Sequence, residues 1–296
     1  MPEPEPSTTR PVDGMALARV QRRLAGANTA PWLHGEVARR MAERLPVIRL
    51  RPAVVLDWWA HAGASRDALR AAYPGARIVA VEAAAAPAGA VAHWWSPRRW
   101  VGDAAAQPEA TVPPATAQML WANMMLHGVS DPQLQMATWH RALAVDGCLM
   151  FSTLGPGSLQ GLRELYGAHG WPPPHAPFVD MHDLGDMLVH AGFADPVMDQ
   201  EQIVLTWPDA PALLRELQAL GGNADPGRHR GLRTPRWRAR LVDALGALAG
   251  ADGRPRLTFE VVYGHAFKPP PRLPLRAETA VGIEELRAMA RRPRGA

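Results

Sequence analysis

The chain has 296 residues, 47% of them hydrophobic and 20% charged, with one cysteine, a net charge of +4 and a pI ≈ 9.9. This composition belongs to a globular protein with a sizeable core and excludes disordered, collagenous and coiled-coil chains. The lone Cys148 excludes a disulfide scaffold and any multi-cysteine metal centre, and no run of about 18 apolar residues reads as a membrane span.

Residues 1–13 are acidic and proline-rich, lack the basic and apolar regions of a secretory signal, and are expected to be disordered. Residues 14–25 and 32–45 place apolar residues at helical spacing with arginines opposite, which predicts two helices. Asn28 or Thr29 is expected to cap the second, with Pro31 in its first turn. The pattern then changes. Residues 53–57 are a short apolar run ending in Asp57, 65–73 a helix stopped by Pro74-Gly75, and 77–82 a second apolar run ending in Glu82. A helix is expected over 83–93 and a third strand over 99–103, ending in Asp103.

Residues 118–123 read as a fourth strand, 132–144 as a helix, and 147–153 as a fifth strand entered by an Asp146-Gly147 turn. Helices follow over 157–168 and 181–191, a strand over 197–206, helices over 210–220 and 234–249, and a last strand over 256–265. A surface helix is expected over 282–291 in a loose tail. Strands alternating with helices predict an α/β fold with a doubly wound, mostly parallel sheet.

In such sheets ligands bind outside the carboxyl ends of the strands. Asp57 and Glu82 stand there one crossover apart, with Gly63 in the intervening turn, and an acid ending the second strand suits a ribose diol. The eleven histidines include no HExxH or compact ligand set, which predicts no metal site. Ser158 directly follows Gly157, so Gly155 to Ser158 is not a nucleophile elbow. Cys148 reads as a buried small hydrophobe, Trp94, Trp95 and Trp100 as packing residues, and His182 and Asp183 as shaping the start of a helix. The basic balance is almost all arginine, clustered at Arg39-Arg40 and at Arg228, Arg230, Arg233, Arg236, Arg238 and Arg240. No nucleic-acid motif accompanies these clusters, so no nucleic-acid partner is expected.

The stretch VLDWWAHAGASRDALRAAYPGARIVAVE resembles the first two motifs of class I S-adenosylmethionine (SAM) methyltransferases, a Rossmann-like fold. Asp103 in VGDA is similar to that family's adenine-facing acid, and Asn123 in LWANMMLH stands where its fourth strand lines the site. More narrowly, PWLHGEVARRMAERL, FSTLGPGSLQGLRELY, FVDMHDLGDMLVHAGFADPVMDQEQIVLTW and LTFEVVYGHAFKP resemble the biotin-synthesis methyltransferases. Those enzymes methylate the free carboxylate of malonyl-acyl-carrier protein.

The resemblance implies one methyltransferase domain over 14–268, with N-terminal helices at 14–48, a SAM-binding core at 53–153 and a substrate part with an inserted helical lid at 154–268, before a Pro/Arg-rich tail at 269–296. It further implies SAM as cofactor, held by Asp57, Gly63, Glu82, Asp103 and Asn123, and an acyl-carrier protein as partner; the hydropathy, the N-terminus and the single cysteine predict no membrane association and a cytoplasmic location. A basic group for the substrate carboxylate is expected, with Arg163 as the candidate. One feature departs from the family pattern D-x-G-x-G-x-G: Trp59 and His61 replace two glycines and only Gly63 remains. The alternative reading is therefore a non-catalytic homologue that has lost SAM binding and acts as a binding partner.

Overall fold

The computed structural model describes residues 9–83 and 106–271. Among the described residues seven strands form one sheet in the order β3-β2-β1-β4-β5-β7-β6. They are β1 (Val54–Trp58), β2 (Arg77–Glu82), β3 (Gln107–Pro108), β4 (Ala117–Ala122), β5 (Leu143–Leu154), β6 (Ala194–Thr206) and β7 (Arg256–Phe267). β1 to β5 pair in parallel, and β7 runs antiparallel to both β5 and β6. The order reverses between β1 and β4, which opens a crevice at the carboxyl ends of those strands.

The apolar runs split by period two. Val55, Met119, Trp121, Cys148 and Met150 join one buried layer, whereas Leu56, Trp58, Leu120, Leu149 and Phe151 join the other. Both faces of the central strands are therefore covered, as the unbroken apolar runs require. The first layer takes α2 (Trp32–Ala42) through Leu33, Val37 and Met41. The second takes α5 (Pro132–Ala142) through Met136 and Trp139, and α7 (Met181–His190) through Leu184 and Leu188. The edge strand β6 alternates instead, with Val197 and Val204 exposed.

The remaining helices are α1 (Gly14–Ala25), α3 (Ala60–Gly63), α4 (Arg66–Ala72), α6 (Gln160–Ala168), α8 (Ala210–Ala219) and α9 (Pro235–Gly246), the last two inserted between β6 and β7. Side-chain caps fix several starts: Asp13 accepts from Ala16 N at 2.9 Å, Asp131 from Leu134 N at 3.0 Å and Asp209 from Ala212 N at 2.7 Å. At α2 neither Asn28 nor Thr29 is the cap; Pro31 holds that position with no side-chain bond. At α7 the cap is Asp180, which accepts from His182 N at 2.8 Å, so His182 contributes its backbone and Asp183 only a first-turn charge.

β5 begins earlier than the expected turn. Its pairing with β4 starts at Leu143, and Asp146, at φ 61°, sits in an irregularity of the strand. Gly147 is required there because a Cβ would lie 2.8 Å from the Ala144 carbonyl oxygen. The expected helix over 83–93, strand over 99–103 and helix over 282–291 lie outside the described residues, as do Trp94, Trp95 and Trp100.

Candidate functional site at the carboxyl edge of the sheet

β1 delivers Asp57 and Trp58 to the carboxyl edge, and the chain turns sharply at Trp59, whose φ of 54° is left-handed. That conformation suits glycine and costs an L-residue roughly 1–2 kcal/mol. It is held because Trp59 N donates to Val81 O at 2.7 Å and Trp59 O accepts from Gly63 N at 2.9 Å, closing the short helix α3. The glycine-rich loop expected from the resemblance is thus a helical turn here. The Trp59 indole is buried, donates through Nε1 to the Glu109 carboxylate, and packs so closely on Gly128 that a Cβ there would lie 3.1 Å from its ring. Trp58 Nε1 donates to the same Glu109 oxygen at 2.8 Å. The indole of Trp59 therefore reaches from β1 to the segment after β3 and the turn after β4.

Glu82 ends β2 half-buried, and its Oε1 accepts the His61 backbone N–H at 2.9 Å. His61 turns away and meets Ala27 O through Nε2 at 2.8 Å, which ties α3 to the segment after α1. Asp57 is fully buried and neither carboxylate oxygen has a hydrogen-bond partner among the described residues. Burial pushes its carboxyl up to about 8, and the neighbouring charge of Glu82 adds to the shift, so Asp57 is mostly protonated at neutral pH. Burial also raises Glu82, against the His61 N–H that favours its charged form. Glu109 is raised by burial too, against the two indole N–H groups.

Asn123 follows β4 and is fully buried. Its Nδ2 donates to His34 O at 2.8 Å and Gly63 O at 2.6 Å, and its Oδ1 accepts from Ser152 Oγ at 2.7 Å. The side chain clasps α2, α3 and β5 together. Gly63 fits under this clasp because a Cβ there would stand 3.5 Å from Asn123 O and 3.3 Å from Ser65 Oγ.

The structure thus brings Asp57, Gly63, Glu82 and Asn123 to one end of β1, β2 and β4. Asp103 lies outside the described residues. Arg163 sits apart on α6, exposed, with Nη2 donating to Pro156 O at 3.2 Å. Ser158 is no nucleophile: it is fully buried and exchanges hydrogen bonds with the Glu260 backbone on β7 at 2.9 and 3.0 Å. Burial pushes the Cys148 thiol up to about 12, so it is inert.

Four residues escaped the sequence reading: Arg10, His34, His127 and His175. Arg10 lies in the segment expected to be disordered, yet residues 9–13 are described and its guanidinium is buried against backbone carbonyls. No spacing rule links it to histidines more than a hundred residues away. Among the described residues no group of three or more His, Cys, Asp or Glu could hold a metal ion, and no helix is long and apolar enough to cross a membrane.

No family model matches the chain. A malonyl-[acyl-carrier protein] O-methyltransferase of Laribacter hongkongensis is 40% identical over 265 residues, 85% of this chain and 88% of the relative. One of Gallionella capsiferriformans is 36% identical over 273 residues, covering 88% and 93%. Among solved structures, the YcgJ protein of Bacillus subtilis superposes with a TM-score of 0.52 at 12% identity, over 78% of this chain and 98% of that one. A methyltransferase candidate from Bacillus halodurans gives 0.50 at 14% identity, over 78% and 99%. These two likenesses concern the fold.

Proposed function

Because the chain belongs to the malonyl-[acyl-carrier protein] O-methyltransferase family, we propose that it is a SAM-dependent enzyme that esterifies the free carboxylate of malonyl-acyl-carrier protein, a step of biotin precursor synthesis. The observation that carries this reading is the 40% identity over 265 residues, 85% of this chain.

The residues at the carboxyl edge fit such a cofactor. Glu82 ends β2 half-exposed and suits a ribose diol, and Asp57 ends β1 one crossover before it, buried and without a hydrogen-bond partner among the described residues. Gly63 and Asn123 would serve through backbone and shape, since the Asn123 side chain is occupied by the protein. Bound SAM supplies an activated methyl group. The acceptor carboxylate is already ionised at neutral pH, so no general base is needed. What the chain supplies is alignment and exclusion of water.

The carrier's docking surface is best sought on α9 and the loop before it. Arg39 and Arg40 are neutralised by Glu36, Glu43 and Glu201, and Arg228 by Asp13. Arg230, Arg236, Arg238 and Arg240 remain exposed, beside a Leu232 that is 100% exposed. A basic surface around one apolar contact complements an acidic carrier.

Trp59 favours a second reading. Its indole crosses the carboxyl edge to Glu109 and Gly128 and narrows the crevice where a nucleoside would lie. In that reading the chain binds the carrier protein without SAM. Calorimetric titration with SAM, followed by mass analysis of malonyl-acyl-carrier protein incubated with both, separates the two. Heat of binding and a carrier heavier by one methylene are expected; a silent SAM titration with intact carrier binding selects the second reading.

A further inference from the structure

Next to the Asn123 clasp lies a group of cationic and imidazole side chains that the methyl-transfer reading leaves unused. Four separate segments build it: Arg10 before α1, His34 on α2, His127 in the turn after β4, and His175 in the connector after α6. They converge at the carboxyl ends of β4 and β5.

The contacts run continuously. His34 meets Ala62 O through Nδ1 at 2.7 Å, and its buried Nε2 has no partner. Its ring stands edge-on to that of His127, centroids 6.3 Å apart. His127 Nδ1 lies 3.4 Å from Thr153 Oγ1 at the end of β5. With Thr153 donating, His127 keeps its proton on Nε2 and can donate it onward. Phe178 packs edge-on against His127 at 6.1 Å and stacks on His175 at 4.8 Å. His175 donates through Nδ1 to Ala176 O at 2.8 Å, which leaves its buried Nε2 an acceptor with no partner among the described residues, so this ring packs the group rather than donating to an anion.

Arg10 closes the group. Its guanidinium donates to the carbonyls of His127, Val129 (3.0 Å) and Pro177 (2.7 Å), and Nε has no partner among the described residues. Those carbonyls fix its position without neutralising it. Burial lowers Arg10, to about 10, and no carboxylate among the described residues holds it up. Burial also lowers both His127 and His175, and the Arg10 guanidinium adds to each shift, joined at His175 by Arg163 and opposed there by Asp225. A buried cation without a counter-ion is costly unless an anion joins it. The histidines belong to no metal-binding group among the described residues. His127, His175 and Phe178 are half-buried and form the rim, while Arg10, His34 and Thr153 are buried beneath.

We propose that Arg10 and His127 bind the carboxylate of the methyl acceptor, the free end of a short dicarboxylic acid held as a thioester, with Arg10 as its counter-charge. Only the identity of that acid rests on the methyltransferase reading; the group's preference for a carboxylate does not. Arg163, expected to fill this role, is exposed on α6 and bonds the Pro156 carbonyl.

The test compares malonyl-pantetheine with acetyl-pantetheine, which has the same arm but no carboxylate, by calorimetry on the full chain without SAM. The malonyl probe should bind about ten- to a hundredfold tighter. Arg10→Gln should bring the ratio to within about twofold, with acetyl-pantetheine affinity unchanged. His127→Gln breaks fewer bonds of the fold and should narrow the ratio, which keeps the test decisive should Arg10→Gln not fold. A native ratio near one, or a native ratio retained in folded variants, overturns the proposal. A parallel SAM titration separates the two ideas: carboxylate preference without SAM binding would sink the methyltransferase reading and leave the pocket standing.

Discussion

Trp59 and Glu109 are joined through an indole N–H donated to a half-buried carboxylate, 50 residues apart in sequence. The bond ties the end of β1 to the segment after β3, over the edge where ligands of this fold are received. A position that needs a left-handed backbone is thereby filled by the largest side chain in the code. Replacing Trp59 by Gly should remove the backbone strain, worth roughly 1–2 kcal/mol, and lose aromatic packing worth about 3–5 kcal/mol. Net destabilisation in denaturant unfolding is the expected result. SAM affinity of Trp59→Gly/His61→Gly should match the native value; a gain from no binding would identify Trp59 as the obstruction.

Glu82 tests the cofactor site from the other side. Glu82→Ala removes a charged acceptor, whose hydrogen bonds are worth roughly 1.5–3 kcal/mol. SAM affinity should drop about ten- to a hundredfold by calorimetry. Unchanged affinity in a folded variant would remove Glu82 from the site.

Asp57 should imprint a pH dependence on stability. Its folded carboxyl is raised to about 8, so the folded state holds more protons than the unfolded one from about pH 4 to 8. Stability therefore falls as pH rises through that window, by up to about 1.4 kcal/mol per unit. His34 and His127 are lowered to about 4 and 3, so the unfolded state holds more protons below about pH 6.5 and their contribution has the opposite sign. Between about pH 6.5 and 8 the Asp57 effect stands clear of these two. Asp57→Asn should flatten the slope of unfolding free energy there, measured by urea titration; an unchanged slope would show that Asp57 is ionised when folded.

Charge reversal at Arg236 and Arg238 should weaken carrier binding about tenfold or more and flatten its salt dependence. Arg39→Glu should have little effect, since Arg39 is already paired with Glu36 and Glu43. Equal losses from both variants would move the docking surface off α9.

Most of the fold was legible because burial on two faces leaves a plain mark: runs such as Val54 to Asp57 and Cys148 to Phe151 have no polar side to confuse the reading. Asp57 and Glu82 were legible as acids at strand ends. The α2 cap was not, because Pro31 starts that helix by its own fixed backbone angle and leaves no capping side chain to find. Nor was the path of Trp59, since a sequence shows that glycine is missing but not whether other bonds hold the same backbone. The Arg10 pocket was beyond reach for a further reason. Arg10 touches residues 117 to 167 positions away, and only the closed sheet sets them side by side.

The Asn123 clasp has a consequence for how this edge comes into being. Its three bonds join partners 89, 60 and 29 residues away, and Ser152 is the last of them to be synthesised. A nascent chain that has emerged only through α5 already contains Asp57, Gly63, Glu82 and Asn123, yet leaves the amide oxygen of Asn123 without its donor. The edge is completed only when β5 docks beside β4. Ligand recognition therefore arises late in biosynthesis, as a property of the assembled sheet, and a fragment ending before Ser152 should carry these residues without the geometry that makes them a site.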